Sequence, residues 1–155
     1  MIVYRFAHKK FAHDLSGIGA RLYGGRWNPV GLSVLYTSST ISLAMLEVLV
    51  NAHTLEELQS IQLMEIEIPD VAECQDIKTQ SLKKNWYFDF DYTQWMGQEI
   101  LQSKKTLLCQ CPSAIIHKES NYLINPLHPD FTKIKLHKAA DFYFDERLFK
   151  QKIIN

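Results

Sequence analysis

Glu47 is the residue whose chemistry is hardest to avoid. It sits among Leu43, Ala44, Met45, Leu46, Val48, Leu49 and Val50, in a stretch with helical spacing. A carboxylate on so greasy a helix must be paired, hydrogen-bonded or neutralised. Left buried and alone, its charge costs roughly several kcal/mol. Two readings stand: a structural ion pair with Arg5, Arg21 or Arg26, or a cleft where the carboxylate meets a ligand. Arg21 and Arg26 lie in the glycine-rich run 17–31. Flexible backbone and guanidinium forks suit a phosphate-bearing ligand; ordinary surface arginines on a loop are the alternative. Tyr36 ends the next apolar segment and could stack on a flat ring or simply fill the core. Pro112-Ser113 breaks a second apolar run, where an exposed serine hydroxyl could hydrogen-bond a ligand. Ser113 has no Gly-x-Ser-x-Gly context, which argues against a hydrolase nucleophile. Asn121, Asn125 and His128 follow in a turn-rich segment, where asparagines can also satisfy backbone groups.

The elements that must position these residues read as α+β, with more strand than helix. Residues 2–6 alternate weakly and would place Arg5 on a first strand. Residues 17–31 carry too much glycine for a regular element and read as a loop. Gly17-Ile-Gly19 lacks a third glycine, because Leu22 stands in its place, so no dinucleotide fingerprint is present. Residues 32–37 read as a strand, and Ser38, Ser39 or Thr40 caps a helix that runs to about Ala52. Ile41, Ala44, Met45, Val48 and Ala52 share one face at about 100° per residue. Leu43, Leu46, Leu49 and Val50 cover much of the rest, so the helix is expected to be buried on nearly all sides. Glu47 and Asn51 form its polar notch. Residues 54–59 form a polar connection with room for a helical turn. Residues 61–68 alternate with a phase slip at Leu63-Met64, which predicts a bulge. Residues 70–91 resist placement. Residues 93–103 read as a helix capped by Asp91 or Thr93. Residues 106–111 and 114–117 read as strand, 121–129 as turns, and 133–137 and 141–144 as late strand candidates.

The length suits one domain over residues 1–155. Lysines and arginines balance the acids, 17 against 17, which argues against a nucleic-acid partner. The N-terminus lacks an apolar signal region, and no run is long enough to cross a bilayer. Cys74, Cys109 and Cys111 have no metal-type spacing and read as reduced, buried packing residues of a cytoplasmic protein. The histidines are scattered, and no metal site is expected.

Taken together, Gly19-Ala-Arg-Leu-Tyr-Gly-Gly-Arg-Trp-Asn28, Leu35-Tyr-Thr-Ser38, Leu43-Ala-Met-Leu-Glu47, Pro112-Ser113 and Asn121-Tyr-Leu-Ile-Asn-Pro-Leu-His128 closely resemble the RES-domain toxins. The likeness runs from Tyr4-Arg5 to about Ile134. It implies a fold like that of ADP-ribosyltransferase toxins and a bacterial type II toxin–antitoxin module. It also implies cleavage of NAD between nicotinamide and ribose, by hydrolysis or phosphorolysis, with phosphate as a second substrate in the latter case. Some family members are ADP-ribosyltransferases. The implied partner is an antitoxin with a helix-turn-helix domain. By motif position, the arginine, glutamate and serine that name the family are Arg26, Glu47 and Ser113, and Arg5 and Tyr36 fall on pocket positions. Arg21, Asn28, Asn121 and Asn125 complete the candidate ligand-binding set. NAD would be a consumed substrate, with no cofactor. A non-catalytic nucleotide- or antitoxin-binding module is the competing class, and a homodimer is left open.

Nicotinamide in NAD is cationic and leaves as a neutral molecule, so no general acid is needed. One carboxylate stabilising an oxocarbenium-like ribosyl cation would suffice. That demand fits a single Glu47. Arg26 and Arg5 would bind the pyrophosphate, Tyr36 would stack on nicotinamide, and Ser113 would orient the ligand.

Overall fold

The computed structural model describes residues 1–149. Seven strands and four α-helices follow in the order β1 (Ile2–His8), α1 (Ile18–Tyr23), β2 (Leu35–Ser38), α2 (Ile41–Leu49), α3 (Leu55–Gln59), β3 (Ile61–Glu67), β4 (Cys74–Asp76), α4 (Phe90–Ser103), β5 (Leu108–Pro112), β6 (Ser120–Ile124) and β7 (Lys135–Asp141). The strands form one mixed sheet in the order β4-β5-β6-β2-β1-β3-β7. Among the described residues only the β4–β5 pair is parallel. No helix among the described residues is long and apolar enough to cross a membrane.

Strand alternation assigns the core. Val3, Leu35, Met64, Ile66, Leu108 and Ile124 point to one face and pack as one cluster with Ala12 and Ile134. The other face carries two clusters. Phe6 and Leu63 pack with Ala44 of α2 and Leu58 of α3. Cys109, Cys111 and Leu123 pack with Trp27, Trp86 and Leu101 of α4. The two clusters adjoin where β1 meets β2, and there the sheet is barely joined. The strands share one registered pair, Tyr4 opposite Ser38. β1 matches β3 over seven pairs, and β2 matches β6 over four.

Several expectations need correction. Residues 18–23 are helical despite the glycine around them. Gly17 and Gly24 bound the helix at φ 72° and 71°, so glycine ends α1 rather than preventing it. Helix α2 is capped by Thr40, whose Oγ1 accepts from the Leu43 amide at 3.1 Å. It is less buried than its composition implies: only Leu43 and Ala44 are fully covered, and Val50 at the helix end is exposed. Ala44, Glu47, Val48 and Val50 line the cavity described below. The irregularity in β3 falls between Glu65 and Ile66, against β7, not at Leu63-Met64. Helix α4 begins three residues earlier than its apolar pattern, because the Asp89 carboxylate caps it by accepting from the Tyr92 amide. Residues 114–117 are a bend and turn rather than strand, whereas 121–124 belong to β6 and not to a turn. Residues 142–144 lie beyond β7, packing Phe142 and Phe144 against Phe6. Cys109 and Cys111 are buried, but Cys74 on the edge strand β4 is exposed.

Candidate active site

A cavity of about 540 Å³ opens at the β1–β2 seam, within the usual range of roughly 300–1,000 Å³ for small-molecule sites. Arg5 comes from β1, Tyr36 and Ser38 from β2, Glu47 from α2, Asn51 from the turn after it, Arg26 from the glycine-rich loop and Asn121 from β6. They arrive on several elements, so the sheet seam assembles the site.

Glu47 stands in the last turn of α2, against the negative end of the helix dipole. That location is unfavourable for an acid by about 0.3–1 kcal/mol, so its surroundings must hold it. They do so with neutral donors. Ser113 Oγ donates to Oε1 at 2.9 Å, and Asn121 Nδ2 donates to the same oxygen at 2.6 Å. Ser38 Oγ fixes the asparagine by donating to its Oδ1 at 2.7 Å. Ser113 is fully buried and accepts in turn from the Ile115 and Ile116 amides at 3.0 and 3.1 Å. Among the described residues Glu47 has no ion-pair partner, and Oε2 accepts no hydrogen bond. Every buried polar side-chain atom described has a partner, so that unpaired oxygen is one that the cavity reaches. The structural ion pair is therefore not formed.

Both cavity arginines are held without an acid. Arg5 Nη1 donates to the Tyr36 carbonyl at 3.0 Å, bridging the strands where their ladder has ended. Burial pulls its guanidinium below the ordinary value, against the opposing pull of Asp14 and Tyr36. Arg26 Nη1 donates to the Tyr87 carbonyl at 2.5 Å, and its guanidinium lies 3.9 Å from the centre of the Phe90 ring. Burial lowers this guanidinium too, while Glu47 and Tyr36 oppose the shift. Among the described residues neither guanidinium forms an ion pair, so an anionic ligand in the cavity would meet two unpaired cations.

The loop bearing Arg26 is rigid despite its glycines. The Tyr36 hydroxyl donates to Asn28 Oδ1 at 2.7 Å and accepts from the Trp27 amide at 2.9 Å. Burial pushes the Tyr36 phenol well up, opposed by those hydrogen bonds. Gln94 of α4 donates to the Gly25 carbonyl at 2.8 Å. A Cβ on Gly25 would stand 2.6 Å from the Tyr36 oxygen, and one on Gly97 would stand 1.8 Å from the Trp27 carbonyl. Glycine at these two positions lets the loop close on β2 and α4 close on the loop.

The structure therefore gathers Arg5, Arg26, Tyr36, Glu47 and Asn121 at the cavity, with Ser113 directly behind the carboxylate. It places the other three candidates elsewhere. Asn28 is buried and donates to the Ala20, Pro29 and Leu32 carbonyls, so it staples the loop rather than facing the cavity. Asn125 ties α4 to β6 through the Leu101 carbonyl at 2.8 Å. Arg21 is exposed on α1, outside the lining. Sequence reasoning missed Tyr87 and Phe90, which hold Arg26. The aromatic cluster Trp86-Tyr-Phe-Asp-Phe90 was the available signal. Among the described residues, no three His, Cys, Asp or Glu side chains converge as metal ligands would.

Comparison with known proteins agrees on the family. Residues 2–145 match the RES domain. The chain is 37% identical to the Toxin Res of Photorhabdus laumondii over 98% of its own length and 99% of that protein's. It is 36% identical to the Prs ADP-ribosylating toxin of a Sphingobium species, over 90% and 89% of the two lengths. Its fold resembles a chain of the M. tuberculosis MbcT–MbcA toxin–antitoxin complex, with a TM-score of 0.74 at 21% identity, over 91% of this chain and 83% of that one. A domain match over nearly the whole chain, with relatives 36–37% identical along about nine-tenths or more of their length, establishes that this protein is a member of the RES-domain family.

Proposed function

We propose that this protein is the toxin of a toxin–antitoxin pair and that it cleaves the nicotinamide–ribose bond of NAD in the cytoplasm. One observation carries the reading: a carboxylate held by neutral donors, with a free oxygen, in the same cavity as two arginines that have no acid partner. NAD has the complementary charges. Its pyrophosphate suits Arg5 and Arg26, and its cationic nicotinamide ribose suits Glu47.

In this mechanism Glu47 faces the nicotinamide ribose. As the glycosidic bond breaks, its electron pair leaves with nicotinamide, which becomes neutral. Positive charge moves onto the ribose, and the fixed carboxylate offsets it without reorganising. Ser113 and Asn121 keep Oε1 in place, leaving Oε2 for the sugar. Tyr36 has its hydroxyl committed to Asn28 and offers its ring as a wall for nicotinamide. Water or phosphate then attacks the ribose carbon, and the proton of the attacking water passes to solvent.

Mass spectrometry of products after mixing purified protein with NAD, with and without phosphate, tests the reading. ADP-ribose supports hydrolysis, and its phosphorylated form supports phosphorolysis. Intact NAD after prolonged incubation would refute the proposal. The likeness to an ADP-ribosylating toxin favours a second reading, transfer of ADP-ribose to a macromolecule. Label moving from NAD onto lysate protein would select it. An antitoxin would act by filling this cavity. Its partner surface then includes the rim residues Phe90 and Val50, both of which are exposed.

A further inference from the structure

Arg26 and Glu47 both line the cavity, and each is held by a segment outside the helix or loop that carries it. Ser113, which holds Glu47, opens a tight turn. Its amide donates to the Glu119 carbonyl at 2.9 Å, and the Glu119 amide donates to the Ile116 carbonyl at 2.8 Å. His117 sits at the tip of that turn with Nε2 3.2 Å from the Ala114 carbonyl. Tyr87 and Phe90, which hold Arg26, belong to a 3₁₀ turn (Trp86–Phe88) and the first residue of α4. The two segments meet through one imidazole. The His117 ring lies 4.4 Å from the Tyr87 ring at 35°, and 5.7 Å from the Trp86 ring. The residue whose carbonyl holds Arg26 is thus stacked on the turn whose serine holds Glu47.

We infer that His117 is a positioning residue that fixes Arg26 relative to Glu47 by clamping Tyr87. It does not line the cavity. It acts through the Tyr87 carbonyl, whose place decides where the guanidinium points. The neighbouring rings support this geometry. Trp86 is buried against Trp27, at 5.7 Å, beside the Arg26 peptide. Asn85 enters the 3₁₀ turn at φ 61°, a left-handed conformation that asparagine tolerates, and its Oδ1 accepts from the Tyr87 hydroxyl at 3.2 Å. Stacking requires a flat ring at 117 and not a titratable one, so phenylalanine should substitute and alanine should not.

The kinetic arm of the test rests on the NAD reading; the structural arm does not. His117→Ala is expected to raise KM for NAD about tenfold with kcat within about twofold, because the arginine binds the part of the ligand that does not react. His117→Phe should restore most of the affinity. Hydrogen exchange read by mass spectrometry should show faster exchange of residues 85–90 in His117→Ala, with β1 and β3 unchanged. Unaltered exchange at 85–90 overturns the inference, as does a fall in kcat with KM intact. If the wild-type protein releases no nicotinamide, the NAD reading fails, and the exchange pattern alone decides whether His117 clamps the segment.

Discussion

The two halves of the sheet are built to different rules. In the β1–β3–β7 half, strands pair over seven and six registered positions, and Val3, Met64 and Ile66 are completely buried. Backbone ladders and apolar burial account for its order. In the β2–β6–β5–β4 half, strands are three to five residues long, and side chains supplement the ladder. Thr37 Oγ1 donates to the Tyr122 carbonyl, and Ser38 donates to Asn121. The cavity opens at the seam between the halves, where a single registered pair leaves backbone groups free for Arg5. Regular pairing would have closed the site. The sheet therefore trades ladder hydrogen bonds at one junction for a polar pocket, and places its strongest packing next to it.

The acids show the same division. Asp89, Asp130, Asp141 and Asp145 on the surface are paired with Lys83, Lys133, Lys9 and Arg147. Those cations or hydrogen bonds hold each carboxyl below its usual range. Such exposed pairs add little. Among the described residues Glu47 receives only neutral donors, the feature on which its proposed role rests.

The contrast predicts where substitutions will act. Met64→Ala should be the most damaging to stability, costing about 2–5 kcal/mol in denaturant unfolding. The folded fraction should keep its activity, since Met64 packs in the apolar cluster with Val3 and Ile66 and does not line the cavity. Loss of specific activity in that variant would erase the division between the halves. Glu47→Gln should do the reverse. Nicotinamide release should fall about 10²–10³-fold, equivalent to about 2.7–4 kcal/mol in the transition state, with the melting temperature nearly unchanged. Release at the wild-type rate would remove the carboxylate from the mechanism. Ser113→Ala should be intermediate on both scales. It removes a hydrogen bond to a charged group, worth about 1.5–3 kcal/mol, and leaves the Ile115 and Ile116 amides without their acceptor. A variant with unchanged rate would show that the serine is only structural.

Thiol chemistry gives the smallest effect and sharpens the map of the polar half. Burial pushes the Cys109 thiol up to about 12 and Cys111 well above the ordinary 9.0. A reagent that alkylates thiolates near pH 8 should modify only Cys74 in the native protein, counted by intact mass, and all three in denaturant. The sign of the pH effect follows. A thiol whose folded value is raised stabilises the fold below the unfolded value near pH 9, and this contribution is lost as pH rises toward 12. Urea midpoints measured between pH 8 and 11 should therefore decline, and a Cys109→Ala variant should decline less.

Long periodic stretches were legible. Strands β1 and β3 and helices α2 and α4 follow from alternation and 3.6-residue spacing, which burial on one face enforces, whereas the strand read over 32–37 is β2 only from Leu35 to Ser38. Failures came where composition misleads. Glycine near α1 signals its ends rather than its absence. The apolar run 114–117 is a turn, because Ser113 captures its amides before a strand can form. Asn121 reads as a turn former yet lies in β6, because its side chain is spent on Glu47 and Ser38. Residues 85–90 gave no periodic signal, since their order comes from aromatic contacts with His117 and Trp27, far off in sequence. The exchange of Asn28 and Asn125 from ligand to backbone duty has the same origin: an amide's partners are set by what the fold brings within about 3 Å.

The sequence by itself determined the secondary-structure class, the isolated acid in an apolar helix and, through its motifs, the family. These depend on residue type and short-range spacing, which the chain carries locally. Tertiary structure alone decided that Glu47 would meet a serine and an asparagine instead of an arginine, and that Arg26 would rest on Tyr87 and Phe90. Those partners are separated by 61 to 74 residues. Only the closure of the sheet around a nearly unpaired seam brings them into hydrogen-bond range.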